Sequence, residues 1–205
     1  EALVREQLPQ LPVENILLEP AMRNTAPCIA YACWKIRQKN PSANVVVTPA
    51  DALVVDVDDF RKVIGRALEF TAAGHRIVTV GIRPTRPETG YGYIEIAGQA
   101  GNDVTPGLTG SPLKVDSFKE KPALEVARQY LAAGNYLWNA GIFVWNIDTI
   151  VESLRAFVPE LAAKMDIMSE SFFTPSERKV VGDIFPTCEK ISIDYAVMEK
   201  ADYIY

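Results

Sequence analysis

VVVTPADALVVDVDDFRKVIGRALEFTAAGHRIVTVGI, residues 45–82, decides the fold class. It opens on a β-branched apolar run, 45–48, without polar alternation, which reads as a strand buried on both faces. Asp56 then offers a short side-chain acceptor to free helical amides, and Phe60, Val63, Ile64, Ala67 and Leu68 recur at helical spacing. Gly74 suits the exit of that helix, and 76–82 is a second buried run. Strand, helix, strand is the unit of a parallel sheet covered by helices. On the N-terminal side, 13–18 reads as a further strand. A helix is expected from Asn24 or Thr25, with Pro27 in its first turn, to a point before Pro41. The strands 13–18, 45–48 and 76–82 are thus expected to be parallel neighbours. The class is α/β, a Rossmann-like, mostly parallel sheet with flanking helices.

The C-terminal half is more mixed. Residues 85–93 read as a loop rich in Pro and Gly, and 98–112 as a longer polar loop. Strands are expected at 113–118 and 141–145, with a helix at 123–133 between them, closed by Gly134. Asp148 begins another helix, Ser192 caps one running to about Lys200, and 202–205 starts a strand.

Composition bounds the function. At 205 residues, 48% hydrophobic and 23% charged, the chain is long enough for one sizeable domain, and residues 1–205 are read as one. A net charge of −5 gives no electrostatic reason to expect nucleic acid, although a few local cations suffice for a phosphate ligand. The odd cysteine count, Cys28, Cys33 and Cys188, fits free thiols in a reducing, cytoplasmic setting rather than a disulfide framework or a zinc site. No apolar run approaches the roughly 20 residues of a membrane span, and no membrane partner is expected.

Parallel sheets take ligands outside the carboxyl ends of their strands, so chemistry is expected just after Thr48 and Ile82. Asp51 is placed there to hold Mg²⁺, a hard ion that takes carboxylate, water and phosphate oxygen; a turn Asp is the plainer alternative. Asp56 and Asp58 form a rival Asp-Val-Asp pattern of the kind many glycosyltransferases use, but helix capping explains them without a ligand. Upstream, EPAMRNTAP (19–27) joins a strand end to a helix N-terminus, whose free amides favour an anion. Arg23 can fork onto a phosphate or purine edge, and Asn24 and Thr25 can hydrogen-bond a base; an ordinary capped helix accounts for the same residues.

Three further segments carry polar groups of the right kind. In PTRPETGYGYI (84–94), Gly90 and Gly92 permit close backbone approach and Arg86 can reach an anion, unless this is a plain turn. FKEKP (118–122) sets the Glu120 carboxylate, an acceptor for sugar hydroxyls, beside the Lys121 ammonium, an offset for phosphate charge; the two could also simply compensate one another at a solvated strand end. Asn139 in LWNAGIF (137–143) has donor and acceptor groups for a sugar hydroxyl, with Gly141 leaving room and Trp138 and Phe143 assigned to the core. Asp194 in SIDYAVMEK (192–200) lies in a first helical turn, where complementing the dipole explains it. His75, the single histidine, reads as a surface turn residue.

Taken in order, EPAMRNTAP, PTRPETGYGYI, FKEKP, WNAGIF and SIDYAVMEK closely resemble mannose-1-phosphate guanylyltransferases, of the sugar-nucleotidyltransferase family, over essentially the whole chain. The resemblance implies a nucleotide-diphospho-sugar transferase fold with a smaller mixed β part around the sugar. It implies GTP and a hexose 1-phosphate as partners, reacting to GDP-mannose and pyrophosphate with Mg²⁺. Carried over, Arg23, Asn24 and Thr25 look like guanine and ribose contacts. Asp51 looks like the metal ligand, and Gly90, Glu120, Lys121 and Asn139 like the sugar-phosphate pocket, with Asp194 beside it. Asp51 and Lys121 are the residues implied to act in catalysis.

The chain departs from the family in three places. Ala52 stands where the family has His, and two family segments are missing from the stretch. These are the opening glycine-rich loop with its Thr-Arg pair and a downstream aromatic-rich segment with a second metal Asp. The chain is therefore expected to be truncated at both ends and to have little or no activity by itself. It is also expected to be poorly stable, or to associate into a homo-oligomer through exposed apolar surface.

The implied mechanism follows from phosphoryl transfer. A sugar phosphate is already an anionic nucleophile, so the site needs alignment and charge offset rather than a strong base. Two alternatives come from other classes, a glycosyltransferase using Asp56 and Asp58 and a non-catalytic sugar-nucleotide-binding module.

Overall fold

The computed structural model describes residues 2–97 and 112–205, so all of the polar loop read at 98–112 except Pro112 falls outside the described residues. After α1 (Ala2–Gln7) the chain makes a 3-10 turn at Val13–Asn15 rather than the expected strand. Val13 and Leu18 are exposed, and among the described residues 13–18 pairs with no strand. β-branched residues favour a strand only where a neighbouring strand completes it.

The next elements follow their local signals. Asn24 caps α2 (Thr25–Lys39), its side chain accepting from the Thr25 amide at 2.9 Å. β1 (Asn44–Val47) comes next, followed by α3 (Val57–Ala72), which Asp56 caps by accepting from the Asp59 amide at 2.9 Å. β2 (Ile77–Ile82), β3 (Tyr93–Ile96), β4 (Val115–Lys119) and α4 (Leu124–Ala133) lead to β5 (Tyr136–Asn146). Gly134 ends α4 in the left-handed region at φ 76°, where a side chain would be strained. Three helices follow, α5 (Ile147–Phe157), α6 (Pro159–Ser169) and α7 (Glu177–Ile184). The helix expected after Ser192 is shorter than read and is a π-helical turn, Asp194–Met198.

The α/β class with flanking helices holds, but the sheet is dominated by antiparallel pairs. β1 and β2 both run antiparallel to β5, and both pair with its Phe143–Trp145 stretch, so β5 lies between them. They share a direction, as the strand–helix–strand order requires, yet they are not neighbours. β3 pairs antiparallel with both β4 and β5. Among the described residues, parallel pairing is confined to an isolated bridge between Ile77 and Ile204, flanked by Ile77 N–H to Tyr203 O at 3.0 Å and Thr79 N–H to Tyr205 O at 2.8 Å.

Alternation along β5 builds two cores. Phe143 and Trp145 pack with Ile29, Ala30, Ile150, Leu154 and Met165 of α2, α5 and α6. Val144 faces the other way, onto Val78 and Ala67, with Ile64 and Leu68 of α3 against them. The sheet is thus covered on both faces, which explains apolar runs without polar alternation. A third cluster, Tyr93, Ala127 and Trp138, seats α4 beneath β3 and the start of β5.

Candidate active site

The carboxyl ends of β1 and β2 point toward the first half of β5, because Gly81 pairs with Asn139 and Ile82 with Trp138. Gly141, at φ +68° with nothing within 4 Å of a would-be Cβ, lets the strand bend just after Asn139. The bend presents the Asn139 side chain to three partners. Its Oδ1 accepts from Thr79 Oγ1 at 3.0 Å and from the Gly141 amide at 3.1 Å, and its Nδ2 donates to Asp194 Oδ1 at 3.2 Å. The amide is therefore fixed on one face and aimed at a carboxylate on the other.

Glu120 and Lys121 join from the end of β4. Their side chains form an ion pair in which Glu120 is 9% exposed and Lys121 60%. Lys121 adopts φ 46°, an unusual value for a side-chain-bearing residue, and its amide donates to Tyr91 O at 3.3 Å. Gly92 makes the junction possible: a Cβ there would meet Glu120 Oε2 at 2.5 Å and Asn139 Cβ at 3.4 Å, and its carbonyl accepts from the Asn139 amide at 2.8 Å. Hydrogen bonding by Glu120 holds the Lys121 ammonium above the ordinary lysine range, with the charge of Asp194 adding to it. Burial raises the Asp194 carboxyl above the ordinary aspartate range, and the Glu120 charge raises it further. Two carboxylates, one ammonium and one amide thus share a small polar space.

The N-terminus of α2 abuts this group. Thr25 Oγ1 accepts from the Ile193 amide at 2.9 Å, and the Ala26 amide donates to Ile191 O at 3.1 Å. Asp194 is the next residue along. Asn24 is exposed at φ 67°, ψ −173°, a region costly for any residue but Gly. The Arg23 guanidinium donates from Nη2 to Pro186 O, while its Nε is buried without a partner among the described residues. The hydrogen bonds recorded for Arg23 and Thr25 thus hold the fold together.

Not every residue singled out in the sequence converges. Gly90 is exposed, and its amide donates to Glu88 Oε1 at 3.0 Å; Gly92, two residues on, lies against Glu120 and Asn139. Asp51 is exposed beyond the end of β1, and no recorded hydrogen bond or ion pair joins it to the cluster among the described residues. Among those residues, no group of three His, Cys, Asp or Glu could hold a metal ion. Asp56 is a helix cap and Asp58 lies 3.6 Å from Arg61, so both rival acids have structural roles. The three cysteines are free, and burial pushes the Cys33 thiol up to about 12, far from a reactive thiolate. His75 is exposed, 3.3 Å from Glu152. No described helix is long and apolar enough to cross a membrane. Thr79 joins the cluster through Asn139 without being singled out by the sequence alone; its signal is a hydroxyl inside an otherwise apolar buried run.

Comparison with known proteins bears on this arrangement. The Nucleotidyl transferase family matches residues 1–170. The mannose-1-phosphate guanylyltransferase ManC of Salmonella typhimurium (strain LT2) is 39% identical over 204 residues, covering 97% of this chain and 41% of that protein. The chain therefore spans about two-fifths of the length of that relative. Among solved structures, one described as a mannose-1-phosphate geranyltransferase from Thermus thermophilus superposes with a TM-score of 0.82 at 29% identity, covering 100% of this chain and 54% of that one. Another, described as a mannose-6-phosphate isomerase from Helicobacter pylori, gives 0.75 at 26% identity, covering 99% and 76%. With the family matched along most of its length and the same fold in both solved structures, the chain belongs to the nucleotidyl transferase family.

Proposed function

We propose that this chain forms the sugar-phosphate pocket, and part of the nucleotide side, of a mannose-1-phosphate guanylyltransferase, which makes GDP-mannose and pyrophosphate from GTP and mannose 1-phosphate. The observation that carries this reading is the convergence of Glu120, Lys121, Asn139 and Asp194 on one space that abuts the N-terminus of α2 through the Thr25–Ile193 hydrogen bond. A pocket for a hexose 1-phosphate needs acceptors for hydroxyls and a cation for the phosphate, and these four residues supply both. The names of the three similar proteins share a mannose phosphate, which supports the same ligand class here.

In this reading Lys121 exchanges the Glu120 carboxylate for the sugar phosphate, and Glu120 and Asn139 turn to the hydroxyls. The phosphate oxygen then attacks the α-phosphorus of GTP in line, and pyrophosphate leaves. No side chain needs to remove a proton, in keeping with a cluster that contains neither His nor Cys. Arg23 and Asn24 stand on the nucleotide side by their side chains, whereas Thr25 turns its hydroxyl to the Ile193 amide; the Thr25 and Ala26 amides are already taken by Asn24 Oδ1 and Ile191 O, and Pro27 has none. Asp51 is a single exposed carboxylate, which fits Mg²⁺ as one protein ligand among phosphate oxygens and water. An ion held by Asp51 would supply charge offset for the pyrophosphate.

The test is pyrophosphate release by the complete protein with GTP and mannose 1-phosphate. Release dependent on both substrates is expected. Consumption of GDP-mannose without any use of GTP would favour a glycosyltransferase, and binding without release would favour a non-catalytic module.

A further inference from the structure

The sequence suggests Thr25 as a contact to the base, yet its hydroxyl faces the other way. Thr25 Oγ1 accepts the Ile193 amide at 2.9 Å, and Ile193 is fully packed in the core at 1% exposure. That amide lies at the entry to the π-helical turn Asp194–Met198, and Asp194 is the first residue of the turn. A π turn is intrinsically less favourable than an α turn and persists where its surroundings fix it. Here the fixing contacts are Thr25 Oγ1 on one side and, on the other, Asn139 Nδ2, which donates to Asp194 Oδ1 at 3.2 Å. A chain of single contacts thus runs from the start of α2 through Ile193 and Asp194 to Asn139 and Thr79.

We propose that Thr25 is a positioning residue for the sugar-phosphate pocket: its hydroxyl sets the place of the Asp194 turn, so that the start of α2 and the sugar-phosphate side of the site keep one relative geometry. This deepens the function proposed above and rests on it. Thr25 then acts on hexose phosphate through Asp194, and its loss is felt by the sugar rather than by the base. The second stitch, Ala26 N–H to Ile191 O at 3.1 Å, is main chain to main chain and survives any side-chain change at position 25. A side-chain variant therefore loosens the turn without detaching it.

The experiment compares Thr25→Val, Thr25→Ala and Thr25→Ser in the complete protein. It reads KM for mannose 1-phosphate and for GTP by pyrophosphate release, and Tm alongside. Val and Ala are expected to raise the KM for mannose 1-phosphate roughly three- to tenfold, the worth of one hydrogen bond, with the KM for GTP unchanged. Ser, which keeps the acceptor, is expected to match the parent protein. In an Asp194→Asn background, Thr25→Val is expected to add less than about twofold, because residues acting through one contact are not additive. A rise in the KM for GTP alone would make Thr25 a base contact and overturn the proposal. Unchanged constants in all three variants, or a Ser variant as impaired as Ala, would overturn it as well. If Val fails to fold, the Ser and Ala comparison decides by the same criteria. A parent protein that releases no pyrophosphate and binds no mannose 1-phosphate overturns the underlying function, and this proposal with it.

Discussion

Gly92→Ala is the sharpest test of the pocket. A Cβ at position 92 would stand 2.5 Å from Glu120 Oε2, 3.4 Å from Asn139 Cβ and 3.5 Å from Phe118 Cε1. Contacts below 3.0 Å essentially never occur, so the Glu120 carboxylate must retreat by about 0.5–0.9 Å to reach ordinary separation. It cannot swing freely, because it is 9% exposed and held by Lys121. The backbone at position 92 is outside the left-handed region, so sterics alone is at issue. Overpacking of this kind costs roughly 1–3 kcal/mol of stability. A displacement near 1 Å in a positioning group can cost on the order of 10²-fold in rate. We expect kcat/KM for mannose 1-phosphate to fall about 10- to 100-fold while the KM for GTP stays within about twofold of the parent. Removing the obstruction in Gly92→Ala/Glu120→Ala should restore the lost stability, since the nearest atoms left to the added methyl, Asn139 Cβ at 3.4 Å and Phe118 Cε1 at 3.5 Å, are at ordinary contact distance. The assay is pyrophosphate release at varied sugar phosphate, with thermal melts of all variants. A stable Gly92→Ala protein with unaltered sugar-phosphate kinetics would refute the placement of Glu120 beside the substrate.

Further outcomes follow from the same contacts. Lys121→Ala should raise the KM for mannose 1-phosphate by about 10- to 150-fold, the worth of a charge-assisted hydrogen bond, with little change in Tm; steady-state kinetics and melts check both. Asp51→Asn should lower turnover far more than Asp58→Asn, whose carboxylate meets Arg61 at the surface; equal losses measured at saturating Mg²⁺ would move the metal ligand away from Asp51. Asp56→Ala should cost about 0.5–2 kcal/mol through the lost α3 cap and leave turnover intact, as denaturant unfolding and initial rates would report. Asp194 binds its proton more tightly in the folded state, so its contribution to stability is present at low pH and lost as pH rises through the raised pKa. Asp194→Asn should therefore raise Tm at neutral pH and flatten this loss while weakening sugar-phosphate binding; a lower Tm at neutral pH would contradict the assigned burial effect.

Helices and single strands are legible because their signals are local. Asn24 and Asp56 cap α2 and α3 as their side chains suggest, Gly134 closes α4 in a conformation that suits glycine, and β1 and β2 match their β-branched runs to within a residue. The strand–helix–strand order also fixes the common direction of β1 and β2. Their separation is not legible, since β5, the strand that enters between them, lies far downstream and announces no pairing choice. β5 itself reads only as 141–145, because Asn139 looks like a loop residue when its partners Thr79 and Asp194 are out of view. The same long-range contacts explain the site. Residue types name the chemistry of Glu120, Lys121 and Asn139, whereas the inward turn of the Thr25 hydroxyl and the close fit of Gly92 exist only in three dimensions.

The central place of β5 has a temporal consequence. β1 leaves the ribosome about a hundred residues before Asn146, the end of the strand with which it pairs. At usual synthesis rates of roughly 5–20 residues per second, Val45–Val47 wait some 5–20 s (order of magnitude) without their neighbour. Both β1 and β2 are idle through much of this interval, since each pairs with β5 and the further partners of β2, at Tyr203–Tyr205, emerge later still. Pairing across such sequence separations is slow even once the whole chain is free. Apolar, β-branched segments left open for that long are the ones that chaperones cover and that aggregate when they do not. Yield on expression should therefore respond more to growth temperature and chaperone supply than to surface substitutions on α5–α7, which mature after β5 is already in reach.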